Sequence, residues 1–145
     1  MNPYIEMFQN ALSEYRTDLE KLQQSRKPLD GIFGTGSSMK SDACHDRFDT
    51  RVEEILTQTL KDQAPSDTVG EAVSYVLSAA APSHNMNSVD WFLIAIQRHC
   101  LPLIDHLPGE TAAVIAEHYE KLWPRRFRLP MQIELLKALK ARANQ

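Results

Sequence analysis

Near the start of the chain, apolar residues recur at Ile5, Phe8, Leu12, Tyr15, Leu19 and Leu22, with spacings that alternate between 3 and 4. Such spacing returns a side chain to the same side of an α-helix at each turn. It predicts a helix from Pro3 to about Gln24 with one seam against its neighbours. The seam lasts about three heptads, which fits a bundle helix within one chain or half of a dimer interface.

The same period continues downstream. Phe48, Val52, Ile55, Leu56 and Leu60 form the inner face of a second helix that Asp42 can cap and that runs to about Asp62. Ala64-Pro65 breaks it, and Ser66 or Asp67 caps a third helix with Val69, Ala72, Val73, Val76, Leu77 and Ala80 inward, ending before Pro82. Ser88 caps a fourth, apolar almost all round through Trp91, Phe92, Leu93, Ile94 and Ile96, and therefore central. Pro102 ends or kinks it, because proline lacks the backbone donor and crowds the preceding turn; a short extension reaches His106. After a turn at Pro108-Gly109, a fifth helix runs to about Trp123. Pro130 opens a sixth with Ile133, Leu136 and Leu139 inward.

No strand or internal repeat emerges from the pattern. The expected fold is all-α: one domain over residues 1–145, a bundle of five to six mostly antiparallel helices, with one long Gly-rich loop (about 26–41) between helices 1 and 2. Composition fits this reading, since 43% of the 145 residues are hydrophobic and 24% charged, near the globular average. No apolar run approaches the length needed to cross a bilayer, and the first residues lack the basic and then apolar regions of a secretory signal. A cytoplasmic protein without membrane association is expected, with Cys44 and Cys100 as thiols.

The net charge of −3 hides a split: residues 117–145 carry seven Lys/Arg against three Asp/Glu, while the rest of the chain is acidic. The segment Trp123-Pro124-Arg125-Arg126-Phe127-Arg128 interleaves arginines and aromatics, the composition of a phosphate-contacting or acidic-partner patch. Arg125, Arg126 and Arg128 are thus a candidate basic surface. Too little of the molecule is basic to favour nucleic acid as its partner. The favoured reading of the segment buries Trp123 and Phe127 and leaves the arginines solvated or paired with Glu117, Glu120 and Glu134.

Two further constellations bear on chemistry. In the Gly-rich loop, Gly31 and Gly36 have P-loop separation, but Ser37 stands where lysine is required and no strand precedes. What remains is a candidate anion or ligand site of Gly34, Gly36, Ser37 and Ser38 with Cys44 and His45, placed at the start of the second helix where amide dipoles favour negative charge. Cys44 also shares the helical spacing of Phe48, Val52 and Ile55, which argues for a buried and inert thiol. Separately, His45, Asp49 and Glu53 follow one another at one-turn intervals, and His99-Cys100 on the central helix can approach them. These are candidate metal ligands, although no paired Cys-x-x-Cys motif fixes a site.

No catalytic residue set is complete, and nothing requires a cofactor. The leading expectation is a cytoplasmic, non-enzymatic interaction or regulatory module whose partner is another protein or a second copy of itself. Metal or anion binding, with or without enzymatic activity, and nucleic-acid binding through the basic end are the alternatives.

Overall fold

The computed structural model describes residues 2–24, 36–83 and 85–145, and the side chains of all these except 36–41. The described residues form six α-helices and no strand: α1 (Pro3–Gln24), α2 (Gly36–Lys61), α3 (Ser66–Ser78), α4 (Ser88–Ala95), α5 (Gly109–Leu122) and α6 (Pro130–Ala143). Two 3₁₀ stretches complete the order, Ile96–His106 directly after α4 and Arg125–Phe127 before α6. The all-α expectation is met.

The α1 seam buries Tyr4, Phe8, Ala11 and Tyr15, while Ile5, Leu12, Leu19 and Leu22 pack along its edge. It lies against α2, where Tyr15 stacks on Phe48 with ring centroids 4.6 Å apart. Each aromatic pairing of this kind adds about 0.5–1.5 kcal/mol to the burial itself.

Helix α2 begins at Gly36 rather than at Asp42, so residues 36–41 of the expected loop are helical. Once a helix is nucleated, each added residue costs little, and Ser37 to Ser41 includes no proline to stop it. The rest of the expected loop, with Gly34, lies outside the described residues. At the other end, the Gln63 amide bonds to Leu60 O and the Ala64 amide to Thr59 O, with Gln63 at φ 51°. This is a Schellman closure made without glycine.

Two caps differ from expectation. Pro65, not Ser66 or Asp67, precedes α3 as its cap residue, with no side-chain bond. Asn87 caps α4 instead of Ser88, because Asn87 and Asp90 exchange side-chain to backbone hydrogen bonds in a capping box. Gly109 is the first residue of α5 rather than part of a turn.

The central element is the 3₁₀ stretch after α4, which packs against α2, α3, α4 and α6. Pro102 sits inside it. The backbone passes the proline by tightening, where an α-helix would need the donor that proline lacks and would clash with its ring. Ile96, Gln97, Cys100, Leu103 and Ile104 are thereby buried. Gly70 lets α3 approach α5: a Cβ there would lie 2.8 Å from Thr111 Cγ2.

Three apolar residues expected inside are outside. Trp91 is 51% exposed, Phe127 42% and Ile133 54%. The inward face of α6 is Gln132, Leu135, Leu136 and Leu139, which turns Ile133 about 100° away.

Candidate functional site

Of the candidate metal ligands, the structure brings Asp49, Glu53 and His99 together. Asp49 and Glu53 project one turn apart from α2, and His99 comes from the 3₁₀ stretch; one ligand atom of each lies within 4.8 Å of the others. His99 Nε2 is 3.1 Å from Asp49 Oδ1. The same oxygen accepts a 2.7 Å bond from Arg98 Nη2, while Arg98 Nη1 donates to Ala95 O. One imidazole and two carboxylates can serve a divalent cation, with water completing its shell. A cation bonded through that oxygen has to displace the guanidinium. As it stands, Asp49 ties α2 to the 3₁₀ stretch through two hydrogen bonds.

His45 does not join this group. Its ring stacks on Phe92 at 3.7 Å, and Nδ1 lies 2.5 Å from Tyr15 Oη. Burial, with Cys44 nearby, pushes the Tyr15 phenol up to about 12, and burial lowers His45 below 6.5 against the opposing pull of Asp42 and Asp46. Both groups are therefore neutral at pH 7. The phenol donates to Nδ1, which leaves the imidazole proton on Nε2.

The expected placement of Cys44 and His45 in a first helical turn is corrected by the start of α2 at Gly36. They lie roughly two turns inside, beyond the reach of the terminal dipole. Cys44 is buried, as its spacing implied, and its Sγ accepts from Arg47 Nη2 at 3.5 Å. Gly36, Ser37 and Ser38 belong to the helix, with their side chains outside the description. Cys100 is also buried, and desolvation pushes its thiol up to about 12. Neither cysteine joins a group of three ligands among the described residues, so a Cys/His zinc site does not form there.

A second site combines residues from four places. Met86, from the connection before α4, joins Trp91 and Ile94 of α4, Trp123 at the end of α5, and Arg126 and Phe127 of the short 3₁₀ turn around a groove of about 630 Å³. Its walls are mainly aromatic and aliphatic. The Arg126 guanidinium carbon lies 4.7 Å from the centre of the Phe127 ring. Stacking uses the face of the guanidinium and leaves its N–H edges directed outward in the plane.

The core also holds a buried polar layer. Gln97 donates to Leu77 O and Ala80 O; its Oε1 accepts from the Tyr119 hydroxyl and from Gln132 Nε2. These contacts fix the orientation of both amides. Two buried atoms lack partners: Trp123 Nε1, on a residue only 1% exposed, and Gln132 Oε1. An unmade bond on a buried polar group costs about 1–3 kcal/mol, so such groups are rare in folded chains.

The basic surface is partly engaged within the chain. Arg128 Nε donates to Trp123 O at 2.7 Å, Arg142 Nε to Leu107 O at 2.6 Å, and Lys140 pairs with Glu120. Arg125 and Arg126 are exposed. Sequence reasoning missed Gln97 and Gln132. The available signal was a polar residue at inward helical spacing, with Gln132 one turn before Leu135 and Leu136. No family model, curated protein or solved structure matches this chain.

Proposed function

We propose that this chain is a non-enzymatic, cytoplasmic interaction module that receives an apolar segment of a partner protein in the groove between Trp91 and Phe127. The observation that supports this most is the pair of large aromatics left half-exposed around one concave, mainly apolar surface, with Arg126 beside them. Exposed aromatics with arginine are the residues that dominate binding energy at protein interfaces. Among the described residues, no helix is long and apolar enough to cross a membrane.

Position-resolved photocrosslinking in cells tests the reading. A benzoylphenylalanine at position 127 should trap a discrete protein, and Trp91→Glu should abolish the product. The same probe at Val114, which is 67% exposed on α5 and does not line this groove, should not trap it. A product containing two copies of the chain identifies the partner as itself. The same set of products from both positions overturns the reading.

A second reading, divalent-cation binding, is favoured by the approach of Asp49, Glu53 and His99. Zinc titration followed by calorimetry tests it. Stoichiometric heat that is lost in His99→Ala and enhanced in Arg98→Ala supports it, and an absence of heat in both wild type and Arg98→Ala refutes it.

A further inference from the structure

The groove offers more than apolar surface. Trp123 lines it, and its indole N–H is a buried donor without an acceptor; Arg126, on the same lining, is an exposed cation without an ion pair among the described residues. A buried donor on one residue of the lining and a cation on another can be met by the same chemical group. Backbone carbonyls could accept from either, but an anion also neutralises the guanidinium charge and makes stronger, charge-assisted bonds, and a carboxylate has oxygens enough for both donors. The surrounding charge agrees, because residues 117–145 hold seven Lys/Arg against three Asp/Glu, and Lys140 and Lys121 are already paired with Glu120 and Glu117.

We propose that the partner segment enters the groove with an acidic side chain beside a bulky apolar one, its carboxylate accepting from Trp123 Nε1 and pairing with Arg126 while the apolar group packs between Trp91 and Phe127. This rests on the groove being the docking face. The indole nitrogen is buried in the free chain, so to reach it the segment must displace part of the Arg125–Phe127 turn. That turn buries none of its own side chains and gives way more easily than the helices around it. The Arg126 guanidinium then exchanges the Phe127 ring for a carboxylate, or keeps the ring on its face and meets the carboxylate along its edge.

The chain has two tryptophans, so ¹⁵N-tryptophan labelling gives two indole N–H signals, assigned by Trp91→Phe. The probes are a short, capped peptide of leucine, phenylalanine and glutamate and its twin with glutamine in place of glutamate. The glutamate peptide should move the Trp123 signal downfield and bind about tenfold or more tightly than its twin, the scale of one charge-assisted hydrogen bond. Arg126→Gln should remove the preference, and Arg126→Lys should keep part of it. If both peptides move the Trp91 signal with equal affinity while Trp123 stays fixed, the groove docks apolar segments and the carboxylate inference is wrong. If neither peptide moves either signal, the inference is overturned, and the crosslinking result alone decides the docking face.

Discussion

At the junction of α2 with the 3₁₀ stretch, Asp49 accepts from both Arg98 and His99, and His45 is held between Phe92 and the Tyr15 hydroxyl. In the groove, Trp123 keeps an indole N–H with no acceptor, and Trp91 and Phe127 face water. Both regions join separate segments of the chain, and both carry arginine beside aromatic or imidazole rings. They differ in what the chain finishes by itself. Desolvated polar groups are costly unless paired. The first region pays that cost internally and works as a clasp. The second leaves it open, which is why we read the groove, and not the histidine-rich junction, as the surface for a partner.

The comparison can be broken first at the buried polar layer around Gln97. Gln97→Leu leaves the Tyr119 hydroxyl, the Gln132 amide and two backbone carbonyls without their partner. It should cost about 3 kcal/mol and lower the melting temperature by roughly 10 °C in calorimetry. A loss under about 1 kcal/mol would mean that this layer is not closed as described.

At the clasp, Asp49→Ala removes both interelement bonds. The partners are partly solvated, with Arg98 42% and Asp49 28% exposed at the side chain, so the cost in denaturant unfolding should be only about 1 kcal/mol. Trp91→Ser should change stability by less than about 0.5 kcal/mol, since half its surface is already in water. Its effect should instead fall on partner capture. Equal stability losses at Asp49 and Trp91 would erase the distinction between clasp and docking surface.

The smallest effect concerns pH. Because burial lowers His45 in the folded chain, the unfolded chain takes up its proton first as pH falls below 6.5. Stability attributable to this residue is therefore complete above 6.5 and declines on acidification toward the lowered folded value. The melting temperature should fall less between pH 7 and pH 5.5 in His45→Gln than in wild type. An identical fall would show that His45 does not contribute to the acid response.

Much of the helical framework was legible because the apolar period is regular. Pro3 to Gln24 follows directly from a 3-4 spacing, and Pro130 at the start of α6 from its missing donor. Helix starts were less legible, since Ser37, Ser38, Ser41 and Asp42 offer several chemically similar caps and the helix, starting at Gly36, passes through all of them. Asp49 and Glu53 were recognisable as neighbours within one helix; that His99 meets them and His45 does not depends on how α2 and the 3₁₀ stretch pack. The aromatic-arginine turn was visible as composition. Which aromatic is buried was not, because Trp123 and Phe127 have the same apolar character and only the end of α5 decides that Trp123 goes in and Phe127 out.

The most direct test of the account is the Trp123 indole N–H signal in the free, ¹⁵N-tryptophan-labelled protein. Without an acceptor, the proton should resonate upfield of the solvated Trp91 indole and exchange slowly with water. A Trp123 signal downfield of Trp91 would show that the indole is already hydrogen-bonded, and the groove would then have no unmet donor to offer a partner.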